Sequence, residues 1–263
     1  MNRFAAFREL HHADRPLFLP NAWDYASAAA LTRDGHPAVG TTSLGVAAAA
    51  GKPDAVAAAR AETLALARAL GRLPSLITVD IEAGFSDDPY DVADLAAELA
   101  DAGAVGVNLE DGAPGGGLVD PTLHGAKITA VKDRVPELFV NARTDPFWLS
   151  TEAPLDEALR RAAGYVDAGA DGIFVPGVAD DDAIRTLVDE IAAPLNVLYL
   201  SDRHTLSGLA RLRVARVSTG SLLFRTALGA AVRTAATIRN GGDRTEPHPP
   251  SYSEVQALTG QLG

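Results

Sequence analysis

Asp101-Ala102-Gly103-Ala104-Val105-Gly106-Val107 and Asp167-Ala168-Gly169-Ala170-Asp171-Gly172-Ile173 carry the same message twice along the chain. Each ends a stretch of helical periodicity at a glycine suited to a left-handed cap, and each then passes at once into a strand. Asp34-Gly35 ahead of Ala38-Val39-Gly40 is a fainter copy. Outward from these junctions, strands are expected at Leu17–Trp23, Ala38–Ser43, Leu76–Glu82, Val105–Asp111, Leu138–Asp145, Gly172–Pro176, Leu195–Leu200 and Arg216–Thr219. Helices are expected over Tyr25–Arg33, then Asp54–Leu70 after a small-residue loop, Asp91–Ala102 and His124–Arg134. Leu155–Ala168, Asp180–Ile191, Thr205–Leu212 and Ser221–Ile238 complete the series. Eight strand–helix units in succession predict an α/β protein whose parallel sheet closes into a (β/α)8 TIM-type barrel. A doubly wound open sheet is the alternative, since alternation alone does not show closure.

The chain has 263 residues, 47% of them hydrophobic, which suits a single barrel domain over 1–263. From about residue 240 the texture changes to a polar, glycine- and proline-containing tail with a short helix over Ser253–Leu258, expected to pack on the barrel or a partner subunit. A net charge of −11 argues against a nucleic-acid surface. The absence of cysteine excludes disulfides, thiolate metal sites and a cysteine nucleophile. No segment approaches the roughly 20 apolar residues that a membrane span requires. Residues 1–14 also lack the apolar segment of a signal peptide. A cytoplasmic protein is expected, with no membrane or nucleic-acid partner.

In such barrels the chemistry gathers where the strands end and the βα-loops begin. Asp80 and Glu82 stand two apart at the end of the third strand, so on extended backbone they point to one side and repel each other. A hard divalent cation relieves that repulsion, as would a shared proton or a nearby Arg or Lys. The fourth strand offers Asn108, Glu110 and Asp111; the fifth offers Asn141, Arg143 and Asp145. Thr41, Thr42 and Ser43 end the second strand, Asn196 lies in the seventh, and Ser218 and Thr219 end the eighth. Asp80, Glu82 and Glu110 with Arg143 suit a Mg²⁺ or Mn²⁺ site beside an anion clamp, Arg143 gripping a carboxylate or phosphonate in a bidentate fork. A structural Glu110–Arg143 ion pair is the competing expectation. Trp23 and Tyr25 are placed to shape the pocket, His124 and His204 are candidate general acids, a solvent-facing place at the start of its helix is the competing expectation for His124, and His11, His12 and His36 read as surface residues.

Several stretches together resemble the isocitrate lyase/phosphoenolpyruvate mutase superfamily, from Leu17 to about Ala231. They are Pro20-Asn21-Ala22-Trp23-Asp24, Thr42-Ser43-Leu44-Gly45 with Gly51-Lys52-Pro53-Asp54, and Val79-Asp80-Ile81-Glu82-Ala83-Gly84. Asn108-Leu109-Glu110-Asp111, Asn141-Ala142-Arg143-Thr144-Asp145 and Ala168-Gly169-Ala170-Asp171-Gly172 complete the set. The resemblance implies a barrel whose eighth helix is exchanged between subunits of a homodimer or homotetramer. It implies Mg²⁺ or Mn²⁺ held directly or through water by Asp80, Glu82 and Glu110. It also implies small 2-oxo acid or phosphonate substrates, held by the Thr42-Ser43-Leu44 region and Arg143, with Asp54 near metal and substrate. The competing reading of Asp54 is an N-cap for the helix behind it.

The chain departs from the superfamily pattern in its loops. The lyases' Lys-Lys-Cys-Gly-His motif is replaced by a glycine loop over residues 112–121 with neither lysine nor cysteine, read as a flexible lid. The glutamate that many lyases carry after the sixth strand is Gly177. The leading expectation is a Mg²⁺-dependent carbon–carbon lyase acting on a small 2-oxo acid or related dicarboxylate through an enolate. Catalysis falls to Asp54, Glu110 and Arg143; substrate binding falls to Trp23, Thr42, Ser43, Leu44, Arg143 and Asn196. The alternatives are phosphorus–carbon mutase or hydrolase chemistry and a non-catalytic barrel that binds an oxo acid.

Overall fold

In the computed structural model the described residues are 2–113, 115–242 and 249–259. Pro114 in the glycine loop and residues 243–248 of the tail lie outside them. The elements run α1 (Arg3–Leu10), β1 (Leu17–Leu19), β2 (Asn21–Ala22), α2 (Tyr25–Arg33), β3 (Ala38–Thr41), α3 (Ser43–Ala49) and α4 (Arg60–Leu70). There follow β4 (Leu76–Asp80), α5 (Pro89–Asp101), β5 (Ala104–Glu110), α6 (Pro121–Arg134), β6 (Phe139–Arg143) and α7 (Pro154–Asp167). The last are β7 (Gly172–Val175), α8 (Asp181–Glu190), β8 (Leu195–Leu198), α9 (Leu206–Arg211), β9 (Arg216–Ser218), α10 (Leu222–Arg239) and α11 (Tyr252–Ala257).

All strands pair in parallel in the order β1-β9-β8-β7-β6-β5-β4-β3-β2. β1 and β2 are one barrel strand broken at Pro20, which has no N–H to give. The first half pairs with β9 and the second with β3, so the sheet closes as a (β/α)8 barrel. Asn21 stitches that seam. Its Oδ1 accepts from the backbone N–H of Thr219 and Gly220 at 3.0 Å, and its Nδ2 donates to the Thr41 carbonyl at 2.7 Å. Gly103 and Gly169 adopt φ of +98° and +103°, the left-handed caps that the repeated junctions predict.

Outward-facing residues such as Val79, Val107, Leu109, Val140 and Ile173 form the main core beneath the helices. The barrel interior is layered differently. α1, absent from the sequence-based expectation, closes the N-terminal end of the barrel. Its Phe7 is fully buried among Leu17, Leu19, Ala38, Val105 and Phe139. Above this apolar floor the lining turns polar: the fully buried Arg216 donates from Nη2 to Asn108 Oδ1 at 3.1 Å. β9 and β5 are not sheet neighbours, so this bond spans the barrel.

Local chemistry corrects three expected positions. α6 begins at Pro121 behind the Asp120 cap, so His124 lies a turn inside the helix and is fully buried. α4 begins at Arg60 with no side-chain cap, so Asp54 is not its N-cap. The small-residue stretch after β3 contains a helix, α3, rather than a loop throughout.

His11 is also not a surface residue. It stacks on Phe139 at 4.2 Å between ring centroids, with Nδ1 bonded to the Phe7 carbonyl at 2.8 Å. Burial, reinforced by the Arg216 charge, lowers its pKa to about 3. The unfolded imidazole takes a proton near 6.5 while the folded one stays neutral, so this contribution to stability is whole above 6.5 and drains as pH falls toward 3. At pH 5 the loss from this residue is about 2 kcal/mol. Urea unfolding of wild type and His11→Phe at pH 7 and pH 5 checks this: the variant should lose less stability on acidification. Equal losses in both proteins would sink the assignment.

Candidate active site

A cavity of about 160 Å³ opens at the C-terminal ends of the strands. On one side Ser43 follows β3, Asp80 ends β4 and Glu110 ends β5; Thr42, Leu44 and Asp54 also border it. The Asp80 carboxylate accepts from the backbone N–H groups of Ser43 and Glu82, each at 3.3 Å. Burial raises the Asp80 pKa, with Arg143 opposing the shift.

Glu82 does not share the Asp80 face. The strand ends at Asp80, and Glu82 has a φ of +50°, outside the extended geometry on which side-to-side alternation depends. Its side chain opens into a neighbouring hollow with Ala57, Phe85, Asp87 and Gly112, while Glu110 and Ala55 border both spaces. Glu82 Oε2 accepts from Ala57 N at 3.0 Å, and Oε1 is buried without a partner. Burial lifts this carboxyl to about 7.

Arg143 is held from two sides. Its Nη1 meets Glu110 Oε2 at 2.6 Å, the ion pair that the sequence left as the competing expectation. Its Nε and Nη2 grip the two Asp145 oxygens at 2.7 and 3.0 Å. The bidentate edge expected for substrate is therefore taken by Asp145. Three of the five guanidinium N–H groups are committed, which leaves two for a ligand. Burial opposes the Arg143 charge, but Glu110 and Asp145 outweigh it and the pKa rises. Burial raises Glu110 to about 8, with Asp80 and Asp145 adding to the shift against the attraction of Arg143.

Asp111 lies behind this pair, not in the cavity. Fully buried, it accepts from Asp145 N at 2.9 Å, Thr144 Oγ1 at 2.8 Å, Tyr165 Oη at 2.7 Å and Arg161 Nη1 at 3.1 Å. The cluster anchors Asp145, and through it Arg143. Arg161 Nη1 also donates to the Val119 carbonyl at 2.9 Å, tying down the end of the glycine loop, whose Gly112 and Leu118 form an antiparallel bridge.

Other expected residues fall outside the lining. Trp23 packs edge-on against Phe224 with centroids 5.5 Å apart. Asn196 sits below Leu198 on β8, accepting from Ser218 Oγ at 3.2 Å. His124 packs against the Tyr165 ring, and His204 Nδ1 accepts from Leu200 N at 3.3 Å. Neither histidine borders the cavity.

The sequence reading missed the opposite wall, formed by Trp148, Phe174, Pro176 and Leu198. It also missed Arg216, whose Nε and Nη1 have no partner and whose pKa burial pushes down to about 9. A signal existed: Phe174, Leu198 and Arg216 stand two residues from Gly172, Asn196 and Ser218, on the same strand faces.

A divalent cation fits this donor set only in part. Among the described residues no three His, Cys, Asp or Glu side chains converge to enclose one, so Asp80, Glu82 and Glu110 do not form a closed cage. Yet Asp54 Oδ1 and Glu82 Oε1 are buried carboxylate oxygens without a partner, close enough to Asp80 for their charges to interact. Mg²⁺ characteristically keeps several waters and takes one or two carboxylates, and that sparser arrangement suits these residues.

Barrel closure and a carboxylate–arginine centre at the strand C-termini place the chain among (β/α)8 barrels with their site at the mouth. More narrowly, the chain belongs to the isocitrate lyase/phosphoenolpyruvate mutase superfamily: the phosphoenolpyruvate phosphomutase family model matches residues 7–239. An uncharacterised protein of Mycobacterium tuberculosis (strain ATCC 25618 / H37Rv) is 44% identical over 96% of this chain and 95% of its own. The 2-methylisocitrate lyase of Bacillus subtilis (strain 168) is 32% identical over 72% of this chain and 64% of its own. A Burkholderia cenocepacia J2315 structure, provisionally named a phosphonomutase, superposes with a TM-score of 0.85 at 37% identity, over 90% of this chain and 100% of that one. The named relatives are lyases and mutases, which supports an enzymatic role. Among the described residues no helix is long and apolar enough to cross a membrane.

Proposed function

We propose that the chain is a cytoplasmic, Mg²⁺- or Mn²⁺-dependent lyase that cleaves a carbon–carbon bond in a small 2-oxo acid or related dicarboxylate through an enolate. The observation that carries this reading is the excess of carboxylate over cation at the barrel mouth. Asp54, Asp80 and Glu110 line a cavity in which Arg143 is the one cation among the described lining residues. When bound, the dication supplies positive charge where the enolate oxygens become negative. Asp80 is the first candidate to hold it, with Glu82 and Glu110 acting through water.

The chain's own groups do the rest. Glu110 and Asp145 fix the guanidinium plane of Arg143, so its two uncommitted N–H groups are aimed before a substrate carboxylate arrives. Thr42, Ser43 and Leu44 border the same head-group region. Asp54 Oδ1, buried and without a partner, is the oxygen best placed to take or return a proton. The apolar stripe of α10, with Leu228, Val232 and Ile238 exposed, supports assembly with a second copy as a homodimer or homotetramer.

The test is turnover of oxaloacetate, 3-substituted malates and phosphonopyruvate, with and without Mg²⁺. Mg²⁺-dependent release of a carboxylic acid from oxaloacetate or a malate is expected. Turnover of phosphonopyruvate alone would move the assignment to phosphorus–carbon chemistry. Oxalate binding with no turnover of any compound would make the barrel a binding protein.

A further inference from the structure

Arg216 is fully buried inside the barrel, and among the described residues no carboxylate lies in contact with it. Burial brings its pKa down to about 9, so it keeps its charge at pH 7. Burying a charge without a partner is costly, and the one hydrogen bond it makes shows what the charge holds.

That bond runs from Nη2 to Asn108 Oδ1 at 3.1 Å, and Asn141 Nδ2 donates to the same oxygen at 2.9 Å. Two donors fill both acceptor positions of the oxygen. Asn141 alone would not fix the Asn108 amide, because it can turn its own oxygen toward Asn108 as readily as its nitrogen. A guanidinium carries donors only, so a turned Asn108 would set N–H₂ against N–H. Arg216 therefore decides the polarity of Asn108. Gly172 leaves the arrangement room: a Cβ there would come within 3.2 Å of Asn141 Oδ1 and press on that amide.

With Oδ1 held inside the barrel, Asn108 Nδ2 is left for the cavity that Asn108 lines. Among the described residues it has no acceptor of its own. Asn108 pairs with Asp80 across the sheet, and Glu110 follows two residues on along the same strand face. A neutral N–H₂ group thus stands between two acids, where an incoming oxyanion otherwise meets negative charge.

We infer that Asn108 Nδ2 donates a hydrogen bond to an oxygen of the bound oxyanion, and that Arg216 is the positioning residue that aims it from beneath. This rests on the reading of the cavity as an oxo-acid site and adds two side chains to it.

The test is a double-mutant cycle, read by calorimetry of oxalate binding to the full-length protein in Mg²⁺ and by thermal unfolding of each variant. Asn108→Ala and Arg216→Met should each weaken oxalate at least about tenfold, the worth of one hydrogen bond to a charged group. The double variant should bind within about threefold of either single one, because both remove the same contact. Arg216→Lys, which keeps a charge and a donor, should recover most of the affinity. Losses that multiply in the double variant would show Arg216 acting through its field alone and overturn the inference. An Asn108→Ala variant that binds oxalate as wild type does, or a folded Arg216→Lys as weak as Arg216→Met, overturns it too. Should the Arg216 variants not fold, NMR decides. The side-chain amide pair that Asn108→Ala deletes from the spectrum should shift in wild type when oxalate is added in Mg²⁺, and an unmoved pair overturns the inference. Each of these failures leaves the lyase reading standing; failure of oxalate to bind wild type in Mg²⁺ overturns both.

Discussion

Asp80→Asn is expected to lower turnover by about two to three orders of magnitude while the protein stays folded. The amide matches the carboxylate in size and keeps an acceptor for one of the two N–H groups, from Ser43 and Glu82, that Asp80 now receives. What disappears is a full negative charge at the point where the cavity meets Arg143 and, more deeply, Arg216. Both arginines feel that charge directly. On the proposed lyase reading, a bound dication would lose its first candidate ligand, and an enolate would lose the cation held there to stabilise it. Steady-state rates alongside thermal unfolding separate this from damage to the fold. A folded variant within tenfold of wild type would remove Asp80 from the chemistry.

The second large effect is on stability. Asp111→Ala should cost about 3–5 kcal/mol, because it removes one of the two counter-charges of a buried guanidinium and strands three further donors. Arg161 would keep Glu157, but its Nη1 and the Tyr165 hydroxyl would lose their shared acceptor. Asp145 would lose its backbone anchor, so Arg143 should loosen as well. Asp111→Asn should also destabilise, since an amide N–H₂ would face an array made of donors. Urea unfolding measures both variants. A loss below about 1 kcal/mol in Asp111→Ala would show that water replaces the carboxylate there.

The parts of the fold that the sequence made legible are those governed by short-range periodicity. α2 spans Tyr25–Arg33 as read, because the Asp24–Ser27 capping box sets its start. The barrel followed from repetition of one unit. The glycine after each of the two quoted helices reported its backbone geometry without ambiguity. The start of α6 was equally legible in Asp120-Pro121, and overlooking it turned His124 to the wrong side.

Other errors came from interactions that spacing does not encode. Alternation placed Glu82 beside Asp80, but it holds only while the backbone is extended, and the strand stops one residue after Val79. From sequence Arg143 reads as a clamp for an external anion because Asp145, its nearest acid along the chain, counts as a separate strand-end residue. In the fold that acid curls back onto the guanidinium. Collecting only polar residues at strand ends hid the aromatic and aliphatic wall. It also hid Arg216, which sits one layer too deep to count as an end.

The seam between β1 and β9 bears on how the chain is made. Leu17 pairs with Arg216, so β1 finds its partner β9 only after every other strand of the barrel has been synthesised. Until then the nascent sheet carries two raw edges, the feature that invites pairing with other chains. Ring closure over so long a separation is also entropically slow. During that interval α1, already made and able to pack Phe7 against β3, β5 and β6, is the element available to hold the incomplete ring together.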